Sequence, residues 1–73
     1  MITSVIIEDE IPAQKIITNF LIKLPNVELV ATFNAAIEAN TFLNKQEVDI
    51  VFLDINLPDM SGLDFIKTVK NPP

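Results

Sequence analysis

Ile50-Val-Phe-Leu-Asp54-Ile-Asn-Leu-Pro58-Asp-Met-Ser-Gly62 decides the fold. Its first four residues form an unbroken apolar run, rich in β-branched and aromatic side chains. A strand buried on both faces reads this way. The run stops at a carboxylate, Asp54. A loop punctuated by Pro58 and Gly62 follows, and a helix opens after Ser61. A charged residue where a buried strand ends is held at the rim of the core and faces outward. In open parallel sheets ligands bind at that rim, outside the carboxyl ends of the strands. Asp54 is therefore the candidate chemical centre.

Upstream, Val5-Ile-Ile7 is a second short β-branched run, giving a first strand over about Thr3 to Glu8 that ends in Glu8-Asp9-Glu10. Pro12 suits the first turn of a helix, and the acids before it suit a helix N-terminus through capping and the dipole. Ala13, Ile16, Ile17, Phe20, Leu21 and Leu24 recur at helical spacing as one apolar stripe, which Pro25-Asn26 ends. Val27 to Phe33 reads as a second strand, with Val27, Leu29, Ala31 and Phe33 on one face. Its partial alternation suggests a sheet edge. Asn34 can cap a helix over roughly Ala35 to Asn44, with Ala36, Ala39, Phe42 and Leu43 facing inward. The third strand covers Val48 to Leu53. Ser61-Gly-Leu-Asp64 has the form of a capping box, and Leu63, Ile66 and Val69 give the last helix its apolar face before Asn71-Pro-Pro73.

The order β-α-β-α-β-α predicts an α/β fold, a parallel sheet with helices on its faces. Right-handed crossovers and short connections leave few topologies. Strand order 2-1-3 is expected, with the most apolar strands central. Glu8, Asp9 and Asp54 then lie at the same end of neighbouring strands, about 4.8 Å apart.

Composition narrows the chemistry. The 73 residues include no Cys, His, Arg, Trp or Tyr, so disulfides, thiolate metal sites and histidine-based nucleophile pairs are excluded. Ten acids against five lysines give a net charge of −5, which opposes nucleic-acid binding by this segment. The first residues lack the positive start of a signal peptide, and no apolar run approaches membrane-spanning length. A cytoplasmic protein is the expectation.

Like charges crowded at one rim push one another toward protonation, and such a cluster is usually held with a cation. All-oxygen ligands favour Mg²⁺, Mn²⁺ or Ca²⁺. Few protein ligands and an open face favour Mg²⁺, which keeps waters and shares itself with phosphate. A carboxylate nucleophile beside Mg²⁺ and helix N-termini is a phosphoryl-transfer site, with Asp54 becoming an acyl phosphate. The plainer readings are Glu8-Asp9-Glu10 as helix-start acids and Asp54 as a loop carboxylate bonded to backbone amides. Asp59 and Asp64 read as a turn residue and a helix-start acid, the lysines as solvated surface, and the phenylalanines as core.

Ile6-Ile-Glu-Asp-Glu10 together with Phe52-Leu-Asp-Ile-Asn-Leu-Pro-Asp-Met-Ser-Gly62 resembles the receiver domain of two-component response regulators. The resemblance runs over the whole chain. It implies a flavodoxin-like, doubly wound parallel sheet in which Asp54 accepts a phosphoryl group from a sensor histidine kinase. It further implies Mg²⁺ held by the Asp9 and Asp54 side chains and the Asn56 backbone carbonyl, with Glu8 assisting through water. The Glu-Asp-Glu form resembles regulators whose output is a LytTR-type DNA-binding domain, so the chain is expected to control a transcriptional output lying outside it. Receivers have five βα units, with a Ser or Thr ending strand four and a Lys ending strand five. At three units in 73 residues, five need on the order of 120. Residues 1–73 thus read as a partial receiver, truncated to three βα units, and the isolated chain is expected to self-associate through the edge of strand three, or to dimerise, or else to fail to stay folded. As an enzyme it would catalyse at most its own phosphotransfer, and the lack of the strand-four hydroxyl and strand-five Lys is expected to impair that step and the switching that follows it. Two alternatives stand beside this. One is an aspartyl-nucleophile phosphatase or phosphotransferase, disfavoured because such enzymes tend to carry the nucleophile on strand one. The other is a fragment serving only in assembly.

Overall fold

The computed structural model describes residues 1–54 and 57–68. The elements alternate as expected: β1 (Ile2–Ile7), α1 (Ile11–Ile22), β2 (Val27–Phe33), α2 (Ala36–Lys45), β3 (Ile50–Leu53) and α3 (Gly62–Thr68). The strands are parallel and their order is β2-β1-β3. The central strand carries the most completely buried run, Val5, Ile6 and Ile7, each with 0% exposure.

Alternation along β1 divides the core between two faces. Val5 and Ile7 face α2 and α3 and pack with Ala36, Ala39, Leu43, Val48, Leu57 and Phe65. Ile6 turns to the opposite face, where the right-handed β1-α1-β2 crossover lays α1, and Leu21 is the buried residue of that helix. Phe33 and Phe42 close one end of the α2 layer, with ring centroids 5.4 Å apart and planes tilted by 53°.

Several expectations are corrected. Val27, Leu29, Ala31 and Phe33 do not share one face. The register steps between Ser4 and Val5, so that Ser4 pairs with Leu29 but Val5 pairs with Ala31. Val30 is the extra residue of a bulge. Beyond it Ala31 and Phe33 join Val5 and Ile7 in the α2–α3 core, whereas Leu29 keeps the side of Ser4. The bulge also explains a buried hydroxyl, since Ser4 Oγ donates to the Glu28 carbonyl at 2.9 Å.

The apolar stripe of α1 is wider than the surface it covers. Leu21 is buried and Ala13 and Ile17 half-buried, but Ile16 and Phe20 are 71% and 61% exposed. The phenylalanines are therefore not uniformly core. β3 likewise is not buried on both faces: Ile50 is exposed, and Val51, Phe52 and Leu53 are half-buried. The two facts share one cause. Among the described residues no strand pairs with the outer edge of β3, and α1 lies over the β1–β2 side of its face.

The caps also differ from expectation. Glu10 stands at the N-cap of α1 in extended conformation without a side-chain cap bond, and Pro12 lies in the first turn. Ala35, not Asn34, is the N-cap of α2, and it has no side chain to cap with. At α3 the Ser61 side of the expected box is formed, the Asp64 N–H donating to Ser61 Oγ at 3.1 Å. Val69 and Asn71-Pro-Pro73 lie outside the described residues.

A pairing not anticipated from the sequence sets the start of β3. Asp49 Oδ2 accepts from the Thr3 N–H at 2.8 Å and from Thr3 Oγ1 at 3.1 Å. The Asp49 N–H donates in return to the Thr3 carbonyl and to Thr3 Oγ1, each at 3.1 Å. This clamp sits one residue before the first β1–β3 pair, Ser4 with Ile50. The Thr3 bonds hold the Asp49 carboxyl below the usual carboxylate range. A carboxylate depressed in the fold leaves the folded state with fewer bound protons than the unfolded state, so stability rises with pH in that window. The contribution is complete above the ordinary aspartate value of about 4 and is lost as pH falls through the lower folded value. Asp49→Asn is therefore expected to flatten the fall in denaturation midpoint below pH about 4. An unchanged acid slope in urea melts would contradict the clamp.

Candidate functional site

Two strand ends build the site. The Glu8 N–H donates to the Phe33 carbonyl at 2.9 Å, and the Asp54 N–H donates to the Ile7 carbonyl at 3.0 Å. Sheet hydrogen bonding therefore continues one residue past β1 and past β3, and it sets Glu8 and Asp54 side by side. The expected juxtaposition holds: Glu8, Asp9 and Asp54 each present a carboxylate oxygen, all within 4.8 Å of one another. Glu8 and Asp54 are half-buried and Asp9 is exposed. Asn56, the fourth expected ligand, lies outside the described residues.

The segment from Glu8 into α1 is stiffened by short-range bonds. Gln14 Nε2 donates to the Glu8 carbonyl at 2.5 Å, the Glu10 N–H donates to Glu8 Oε2 at 3.2 Å, and the Gln14 N–H donates to the Glu10 carbonyl at 3.0 Å. A cleft of about 200 Å³ opens beside the acids, lined by Ile7, Glu8, Ile17, Phe52, Leu53 and Asp54. Its walls are mostly hydrocarbon and its rim is acidic.

The electrostatics follow from this placement. Burial raises the Glu8 carboxyl above its ordinary value; contacts with Asp54 and Asp9 push the same way, against the Glu10 amide. Three carboxylate oxygens so close repel one another, and a hard cation relieves that repulsion. The donor set fits Mg²⁺ or Mn²⁺, which take oxygen ligands and keep open positions for water or phosphate.

Asp59, expected from the sequence as a turn residue, does more. Its Oδ1 accepts the Ala36 N–H at 2.8 Å and its Oδ2 accepts the Ile37 N–H at 2.9 Å. The carboxylate of the loop after β3 thus caps α2, which begins after an alanine. These amides hold the Asp59 carboxyl below the usual range, the Ala36 bond most of all. The sequence signal was weak: a helix start with alanines at positions 35 and 36 needs an acceptor from elsewhere, but nothing local says which one.

The family model of the response regulator receiver domain matches residues 5–73. The chain belongs to that family. As a receiver of two-component systems it is 35% identical over 66 residues to a response regulatory protein of Shewanella oneidensis. It is 36% identical over 59 residues to the transcriptional regulatory protein YpdB of Escherichia coli. These matches take in 90% and 81% of the chain but only 28% and 24% of the relatives. Among solved structures, the response regulator MaeR bound to beryllium trifluoride superposes with a TM-score of 0.84 at 30% identity, covering 92% of this chain and 55% of that one. A CheY-like receiver domain from Methylobacillus flagellatus gives 0.82 at 26% identity, covering 100% and 60%. The chain therefore spans a little over half the length of these two solved chains, and its three parallel strands in order 2-1-3 superpose on part of a CheY-like receiver fold. Among the described residues no helix is long and apolar enough to cross a membrane.

Proposed function

We propose that this chain is the phospho-accepting receiver module of a cytoplasmic response regulator, with Asp54 as the acceptor. Residues 1–73 then make up its first three βα units. The observation that carries this reading is the meeting of Glu8, Asp9 and Asp54 within 4.8 Å at the ends of two adjacent parallel strands. An Asp54 carboxylate oxygen attacks the phosphorus of a phosphohistidine on a sensor kinase. An O–P bond forms, the P–N bond breaks, and its electron pair leaves with the imidazole nitrogen. Asp9, Asp54 and the Asn56 carbonyl would hold Mg²⁺, with Glu8 assisting through water. When bound, that ion offsets phosphoryl charge and keeps the neighbouring carboxylate ionised. The chain's own part is placement: the Asp54 and Glu8 amides fix both strand ends, and the hydrocarbon cleft limits water on one side. The module catalyses no more than its own phosphotransfer. Its output is transcriptional control by a separate domain, a reading supported by YpdB's being a transcriptional regulatory protein and by the acidic balance of this segment.

The test is incubation of the protein with phosphoramidate and Mg²⁺, followed by intact-mass and peptide mapping. Retained phosphoryl on Asp54 is the expected result. Consumption of the donor without retained phosphoryl would point to a hydrolase, and modification of Asp9 in place of Asp54 would overturn the assignment.

The 73-residue chain by itself is expected to self-associate through β3, whose outer edge carries backbone groups and the exposed Ile50. Sedimentation velocity should show mass rising with concentration, and Ile50→Lys should shift the population toward monomer. A monomer at all concentrations would remove this interface.

A further inference from the structure

Asp59 is the polar tie between the loop that follows Asp54 and a helix from the preceding βα unit. Its two oxygens take the leading amides of α2, at 2.8 Å from Ala36 and 2.9 Å from Ile37. The second anchor of the same loop is Leu57, 9% exposed and packed in the core with Ala36 and Phe65. Pro58, between the two anchors, has a backbone φ fixed by its ring. Leu57-Pro58-Asp59 is thus a stiff unit with one foot in the core and the other on α2. At the opposite end of α2 the Gln46 N–H bonds back to the Phe42 carbonyl of the helix itself.

We propose that Asp59 is a positioning residue that couples the first turn of α2 to the charge state of the Asp54 site. The inference rests on Asp54 being the phosphoryl acceptor. A dianionic group added at Asp54 changes the balance of charge at the head of the loop. A displacement of the loop travels through the Leu57–Asp59 unit and reaches α2 through the Asp59 carboxylate. Ala35 offers no side-chain acceptor, so the leading amides of α2 follow the loop. Asp59 contributes no ligand to the acid cluster and acts only through the backbone it holds.

The test is an amide ¹H–¹⁵N titration of the full chain with beryllium fluoride and Mg²⁺, a phosphoryl mimic at a carboxylate. In the native protein the Ala36 and Ile37 resonances are expected to shift together with those of Glu8 and Asp54. In Asp59→Ala the Ala36 and Ile37 response should be lost while Glu8 and Asp54 still respond. Asp59→Asn keeps one acceptor oxygen, so it should retain a reduced response; it also provides a folded variant if the alanine is unstable. Two outcomes would overturn the coupling while leaving the Asp54 reading intact. One is a response at Glu8 and Asp54 with none at Ala36 and Ile37. The other is an undiminished α2 response in Asp59→Ala. Silence at Glu8 and Asp54 in the native protein would instead sink the acceptor reading, and the coupling with it.

Discussion

Replacing Asp54 with asparagine is expected to abolish phosphoryl uptake and to leave the fold standing. The amide oxygen of asparagine is a poor nucleophile and carries no charge, so the acyl phosphate cannot form. The backbone of residue 54 is unaffected, because its N–H is held by the Ile7 carbonyl at 3.0 Å whatever the side chain. Removing one of three carboxylates within 4.8 Å of one another also lowers their mutual repulsion. The variant should therefore melt no lower than the parent in the absence of divalent ions. Asp9→Asn separates metal binding from nucleophilicity, since it keeps the acceptor but removes a charged ligand. Its Mg²⁺ affinity should fall by more than about tenfold, the scale that loss of even an outer-shell partner produces, and phosphorylation should become correspondingly dependent on high Mg²⁺. Intact-mass analysis across a Mg²⁺ series reads both effects. Phosphoryl uptake by Asp54→Asn at the parental rate would end the assignment.

What the sequence made legible follows from range. The apolar runs Val5–Ile7 and Ile50–Leu53 are local signals, and so is the carboxylate ending each one. The crossover rule then left little freedom in placing the strand ends, which is why the Glu8–Asp9–Asp54 meeting could be anticipated. The features that escaped are those in which a polar group finds a partner far along the chain. Thr3 with Asp49, Ser4 with the Glu28 carbonyl, and Asp59 with the α2 amides all join residues more than 20 positions apart. Each partner looks locally like an ordinary turn or surface residue. Burial is only partly legible for a related reason. Period alone places Ile16 and Phe20 on an apolar stripe, but it does not say how much of that stripe a neighbour covers. Nor does the alternation of β2 reveal the bulge at Val30, because one inserted residue reverses the facing of everything after it. Asn34 was the natural local cap for α2; one residue's shift of the helix start transferred that role to a loop 23 residues on.

Phe65→Ala is expected to be the most damaging substitution outside the site. Phe65 is the largest of the fully buried side chains, with 2% exposure. It projects from α3, described over Gly62–Thr68, into the cluster formed by Val5, Leu43, Val48 and Leu57. Helices in proteins draw most of their stability from tertiary packing, and among the described residues of α3 Phe65 is the large apolar side chain that supplies it. Truncating a buried phenylalanine to alanine costs about 3–5 kcal/mol, against a total of roughly 5–15 kcal/mol for a typical domain. At about 4–8 °C per kcal/mol for a domain of this size, the full chain should lose at least ~12 °C in melting temperature. The damage should also spread. Leu57 loses a packing partner, and Leu57 is the core anchor of the loop that carries Asp59. Loosening that loop should weaken the α2 cap, broadening the Ala36 and Ile37 amide resonances well below the melting transition. Leu63→Ala and Ile66→Ala on the same helix are the controls. They remove side chains that are 67% and 51% exposed and should change stability by no more than about 0.5 kcal/mol. If thermal melts rank Leu63→Ala with Phe65→Ala, α3 is docked by its other face, and the route from Leu57 to α2 through Asp59 loses its anchor.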